Sequence, residues 1–534
     1  MSYDTFIYLL VFLPIVLLAY QLVPSKGRWA VLLLAGYVFF WIISGKLLLY
    51  LLATTLFTHG IALGIHRLKR LGQEKMAVLA GKEAHNLKKA YRQREKRVLI
   101  LGIVMLLAVL AYLKYYNFFA MNVNVLATHW GRAEILPKKS LLLPIGISFY
   151  TLQAIGYMAD VYWGKVEPCP HPGKLALFLG FFPQIMEGPI SLYSQTAESL
   201  WSGKSLRWEN LTGGCQRILW GLFKKVIIAD RLSTLVTAIF DHYGDYQGAM
   251  IVIGAVSYTV QLYMEFSGCM DIIIGSGQLF GVTLPENFRQ PFASRSAAEF
   301  WRRWHITLGV WFKTYIFYPV SVSGLVKKWN KFARKHFGKG DGGKYLTKLG
   351  VSALCLFPVW LCNGLWHGAR WSYIFYGMYY FTLLLLGIAL EPLVEKMTDG
   401  LHINRETDAY HLVQTAKTWV IIFTGEMFFR ANGIRAGFHM FFSIFQDFFN
   451  EKLWDGSLLR IGLDRGDYLI ILLGCLTVAI VGSIKERKLL GDEGMKKLPG
   501  HLRWMLYYGL IFSVIIFGAY GVGYQQVDMI YAGF

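Results

Sequence analysis

Thirteen histidines are present, and two of them stand where an ionisable side chain needs a reason. His305 lies in EFWRRWHITL and His367 in CNGLWHGARW, each directly after a tryptophan, Trp304 and Trp366. Imidazole titrates near neutrality, and ionisable groups inside a membrane are costly unless they serve a purpose. The other eleven (His59, His66, His85, His129, His171, His242, His336, His402, His411, His439 and His501) fall near helix ends, in loops or in charged stretches, where a solvated ring needs no explanation. Gly364 and Gly368 flank His367 at the end of an apolar run, and small residues there let a backbone or a substrate approach closely. The ordinary reading of His305 is an interfacial side chain among Trp and Arg, and that of His367 a buried ring bonded to a carbonyl. The chemical reading is a general base acting on a hydroxyl, with a second histidine to orient or assist. A metal site is disfavoured, because the two are 62 positions apart and no HExxH occurs. A Ser-His-Asp hydrolase is disfavoured by the lack of a GxSxG elbow.

The elements that must position these rings belong to a membrane protein. Of 534 residues, 55% are hydrophobic and only 16% charged, with a mean hydropathy of +0.41; a soluble domain carries about 25% charged residues. The net charge of +21 sits in loops between apolar runs, where Lys and Arg mark the cytoplasmic side and favour anionic lipid headgroups. With no basic soluble module, nucleic acid is excluded as a partner. The six cysteines include no CxxC pair and read as small buried hydrophobes. The first apolar run, 6–23, lacks a basic leader and reads as a retained span with its amino terminus outside. Between Arg67 and Arg97 stand eleven Lys/Arg against three Glu, a cytoplasmic loop expected to lie largely as an amphipathic helix on the membrane surface. Eight Lys/Arg in 327–348 and six in 485–503 mark two more cytoplasmic stretches.

At about 20 residues per span, the apolar runs predict an all-α polytopic protein of about 11 to 13 transmembrane or re-entrant helices. No internal repeat or flexible linker divides it. The expectation is one polytopic domain: spans and basic loop in 1–140, a core in 141–437, and carboxy-terminal spans in 438–534. The stretch 285–343 is too charged to span and too aromatic for a free loop, so it is expected to fold back into the interface or a protein-lined cavity.

Four pieces in order, SYTVQLYMEFSGCMDIIIGSGQLFG, PENFRQPF, EFWRRWHITLGVWF and LCNGLWHGARWSYIFYGMYY, resemble the membrane-bound O-acyltransferase family. LLLPIGISFYTLQAIGYMADVYWGKVEP, FFPQIMEGPI and MFFRANGIRAG support this, so the resemblance runs from about Leu141 to Gly437. The subgroup looks like the bacterial alginate O-acetyltransferases; D-alanyl-transferring relatives that modify teichoic acids share the core but usually lack the extra carboxy-terminal spans. The resemblance implies a bacterial plasma-membrane enzyme with a helical core around a cytoplasm-facing funnel, and it assigns the family histidines to His367 and His305.

The reaction so implied moves an acyl group, most simply acetyl, from acetyl-CoA or a carrier-protein thioester to an extracytoplasmic polysaccharide hydroxyl, with no permanently bound cofactor. His367 is the expected base, and His305 orients the donor or protonates the leaving thiolate. Asn363 is a candidate oxyanion donor, Arg302 and Arg303 a rim for donor phosphates, and Trp304 and Trp366 substrate contacts. Membrane lipids are partners, and the resemblance suggests an extracytoplasmic acetyltransferase or hydrolase-like protein that completes delivery. Cys269 offers an alternative S-acyl relay, and Glu265, Asp271 and Arg430 receive no catalytic role. D-alanyl transfer is one alternative reading; a transporter or scaffold is another, although no pseudo-symmetric halves are visible.

Overall fold

A computed structural model describes residues 1–338, 340–487, 498–521 and 524, and among these all regular structure is helical. The basic stretch 485–503 is therefore seen only at its ends, with 488–497 outside the described residues. Seven tracts are long and apolar enough to cross a bilayer: Ser25–Met76, Gly81–His129, Ala249–Leu279, Asp341–His367, Trp371–Gly400, Arg465–Glu486 and Gly500–Phe517. The chain is thus an all-α polytopic membrane protein.

The first tract has 52 residues, about 78 Å if it were one straight helix and far more than a bilayer needs. It is broken at Gly45, whose φ of 53° and ψ of −131° separate the helices Arg28–Ser44 and Leu48–Met76. A side chain there is strained, so Gly45→Ala is expected to cost on the order of 1 kcal/mol, read as a lower unfolding midpoint in detergent.

The chain forms two compact units. The first comprises Met1–Cys215 with Ile273–Pro285. Its basic stretch departs from the expected surface helix: Leu48–Met76 and Gly81–Leu110 both run straight into it, leaving only 77–80 as a turn. The physical reason is that Lys, Arg, Glu, Leu and Ala are good helix formers, so nothing in the stretch stops the helices once they leave the bilayer. The two pack as a hairpin, with Gly72 against the Tyr91 ring and Gly102 against Ile61 and Met158.

The second unit comprises Gln216–Ile272 and the described residues from Glu286 onward. Asp341–His367 and Trp371–Gly400 form a hairpin in which a methyl on Gly364 would strike the Tyr373 carbonyl, and one on Gly377 the Trp360 carbonyl. Lipid gives apolar helices no hydrophobic drive to associate, so such close approach is what holds a pair together. The helix Asp408–Arg430 packs next, its Gly425 under Tyr380. The carboxy-terminal spans are tied to 223–241: Arg231 Nε meets Asp467 Oδ1 at 2.7 Å, an Arg231 guanidinium N–H donates to the Phe517 carbonyl at 2.9 Å, and Ala519 N–H donates to the Val226 carbonyl at 2.9 Å.

Candidate active site

Within the polar and aromatic segment, two short helices around His305, Ala297–Arg303 and Ile306–Phe312, meet at a sharp break. Ser296 caps Ala297–Arg303 by accepting the Glu299 N–H at 3.1 Å, while Glu299 accepts the Arg295 N–H at 2.9 Å. Glu299 also pairs with Arg303 at 2.9 Å, one turn on, and Arg303 reaches Glu486 at 2.9 Å. After Trp304 the backbone turns at His305, with φ 46° and ψ 49°, and the second helix, Ile306–Phe312, begins. A non-glycine residue in this left-handed region costs on the order of 1 kcal/mol and persists only where its surroundings enforce it.

Asn287 enforces it. Its backbone carbonyl accepts the Ile306 N–H at 2.9 Å, and its side-chain oxygen accepts the Thr307 N–H at 3.1 Å and the Thr307 hydroxyl at 2.9 Å. The same oxygen lies 3.3 Å from His305 Nδ1. The preceding Glu286 is held by a bidentate fork from Arg217, at 2.6 and 2.5 Å.

His305 is buried, its ring edge-on to Phe266 at 4.9 Å and to Trp366 at 5.6 Å between centroids. His367, the last residue of its helix, is buried as well and lies 5.1 Å from the same Trp366 ring. The fold thus brings both histidines onto one indole. Phe429 at 5.0 Å and Tyr376 at 5.9 Å complete the walls around His367, and the Tyr376 hydroxyl donates to buried Glu426 at 2.8 Å. Asn363 lies one helical turn before His367, its side-chain oxygen buried and without a hydrogen-bond partner among the described residues. Two imidazoles of adjustable protonation, a carboxamide and a buried carboxylate among aromatic rings suit proton transfer away from bulk water.

Comparison with known proteins gives this geometry a context. A sequence model described as MBOAT, membrane-bound O-acyltransferase family, matches residues 169–333. The chain is 31% identical over 445 residues to the probable alginate O-acetylase AlgI of Pseudomonas aeruginosa, covering 83% of this chain and 75% of that one. The chain belongs to the membrane-bound O-acyltransferase family. It is 29% identical to a peptidoglycan O-acetyltransferase of Helicobacter pylori, over 73% of this chain and 69% of that one. It is also 26% identical to a teichoic acid D-alanyltransferase of Bacillus subtilis, over 46% and 60% respectively. These relatives are all named as enzymes that transfer acyl groups, and this member is an O-acyltransferase.

Within this membrane-bound O-acyltransferase the remaining candidates fall into distinct settings. Arg302 is exposed, whereas Arg303 is engaged by Glu299 and Glu486, which leaves Arg302 the more accessible cation. Trp304 is buried against Tyr263, Phe288 and Phe300. Cys269 and Glu265 are buried. Asp271 pairs with Arg217 at 3.0 Å and Lys224 at 2.7 Å, and Arg430 with Asp241 at 3.2 Å. Among the described residues no three His, Cys, Asp or Glu converge as a metal site would require. Two polar residues at the histidines escaped the sequence reading, Asn287 and Glu426. Glu426 carried a usable signal, a lone carboxylate inside the apolar run 419–429. Asn287 carried little beyond its place in the polar and aromatic segment.

Proposed function

We propose that this protein O-acetylates an extracytoplasmic polysaccharide, drawing the acetyl group from a cytoplasmic thioester, either acetyl-CoA or a carrier-protein conjugate. The observation that carries the reading is the meeting of His305 and His367 on Trp366. A thioester is already activated, so the protein must supply proximity, a base and exclusion of water. His367 takes the proton of the acceptor hydroxyl as its oxygen bonds to the thioester carbonyl carbon, and Asn363 donates to the developing oxyanion. The C–S bond then breaks, and the departing thiolate receives a proton from the histidine pair. Arg302 meets donor phosphates at the cytoplasmic mouth, and Arg303, Trp304 and Trp366 shape the path.

The carboxy-terminal spans and the greater coverage by the alginate O-acetylase support acetyl over D-alanyl. Residues 141–437 carry the reaction within one polytopic domain, the amino terminus lies outside, and an extracytoplasmic partner completes delivery. Purified protein in nanodiscs, offered labelled acetyl-CoA, an acetylated carrier protein or a D-alanylated carrier protein, is expected to release thiol from an acetyl thioester. Turnover of the D-alanyl thioester alone would overturn the acetyl assignment.

A further inference from the structure

We propose that Asn287 is the positioning residue for His305, holding the imidazole as its Nδ1–H tautomer so that the neutral ring presents a lone pair at Nε2. The backbone N–H of Thr307 can only donate, and it meets the Asn287 side chain at 3.1 Å. The atom it meets must be the carboxamide oxygen, so the orientation of the amide follows from chemistry. That same oxygen faces His305 Nδ1 at 3.3 Å. An oxygen acceptor requires a donor opposite, and a neutral imidazole with its proton on Nδ1 has its lone pair on Nε2.

The carboxamide cannot readily turn away. The Asn287 carbonyl is bound to Ile306 N–H, Arg289 N–H is bound to the Arg303 carbonyl, and the Thr307 hydroxyl adds a second short bond to the side chain at 2.9 Å. Phe266 and Trp366 pack against the imidazole, each edge-on or nearly so. The strained backbone at His305 fits this arrangement, because the left-handed turn presents Nδ1 and the following Thr307 to one oxygen.

The consequence for the chemistry rests on the acyl-transfer reading above; the tautomer does not. A neutral His305 can accept a proton at Nε2 but has none there to give. It therefore enters the reaction as an acceptor, and protonates a leaving thiolate only after taking up a proton itself.

The experiment uses full-length protein carrying ¹³C,¹⁵N-labelled histidine in nanodiscs, with solid-state ring-nitrogen spectra and thioester turnover measured on the same samples. His305→Gln assigns the His305 signals by their loss. The wild-type ring is expected to carry its proton on Nδ1, and this spectrum decides the tautomer whether or not any variant folds. Asn287→Asp keeps an acceptor at the same place and is expected to retain Nδ1 protonation and turnover within a few-fold. Asn287→Leu removes the acceptor and is expected to mix the tautomers and lower kcat about 100-fold, with the donor KM little changed. A wild-type His305 protonated on Nε2, or an Asn287→Asp variant as impaired as Asn287→Leu, would overturn the proposal. Full turnover in His305→Gln with an Nδ1–H wild-type spectrum would sink the role of His305 in the reaction while leaving the hold of Asn287 intact.

Discussion

Replacing His367 with alanine is expected to lower thioester turnover by roughly 10²- to 10⁴-fold, the contribution of a positioned general base. In the proposed mechanism the effect falls on kcat, because there the ring acts on the acceptor proton and the donor need not contact it to bind. Alanine also removes a ring packed against Phe429 and Tyr376, so part of any loss could come from a collapsed enclosure. His367→Gln separates the two effects. Glutamine fills much of the space and forms hydrogen bonds but cannot take a proton at neutral pH, so it should be nearly as inactive as alanine while unfolding at the wild-type temperature. Activity of either variant equal to wild type would remove His367 from the chemistry.

The second large effect concerns stability. Asp271→Ala is expected to destabilise the fold by about 3–5 kcal/mol, because it leaves the buried Lys224 ammonium without its counter-charge, while Arg217 keeps Glu286. Lys224 Nζ lies 2.7 Å from Asp271 and 2.9 Å from the Ser267 hydroxyl, and the Lys224 side chain is only 5% exposed. Arg217 Nε shares the same carboxylate at 3.0 Å. A hydroxyl cannot compensate a desolvated ammonium, so the variant must hydrate the site or lose the lysine charge. Pairing Lys224→Met with Asp271→Leu replaces the ion pair by apolar groups and should recover most of the loss in thermal unfolding. An Asp271→Ala protein that unfolds with wild type would show that the pair contributes nothing. Since Arg217 also grips Glu286, beside Asn287, Asp271→Ala should lower turnover even where the protein stays folded.

Membrane character was legible in the sequence because it is a local property: a run of apolar residues is a span wherever it occurs. The ordered motifs around His305 and His367 were legible too, and with them the family and its class of reaction. The two residues could be named, but not joined. Their separation of 62 positions has no helical periodicity, and only the packing of the Asp341–His367 helix against the 297–312 segment brings the His305 ring onto Trp366, the residue before His367.

The fate of the charges was likewise decided by tertiary contact. Arg302 and Arg303 look alike as neighbours in sequence, yet the turn of the helix exposes one and delivers the other to Glu486, 183 positions away. Asn287 could not be singled out, since its importance lies in where one carboxamide oxygen points relative to Thr307 and His305. The basic stretch 67–97 is expected from its composition to lie largely as a surface helix, but whether such a stretch does so or extends two spans depends on what its helices pack against, and Gly72 against Tyr91 supplies that packing. Composition and local order thus determined what kind of protein this is and which side chains to single out. Which atoms face one another was decided by the fold, because hydrogen-bond direction and close helix approach are set by distances between residues that the linear order leaves unrelated.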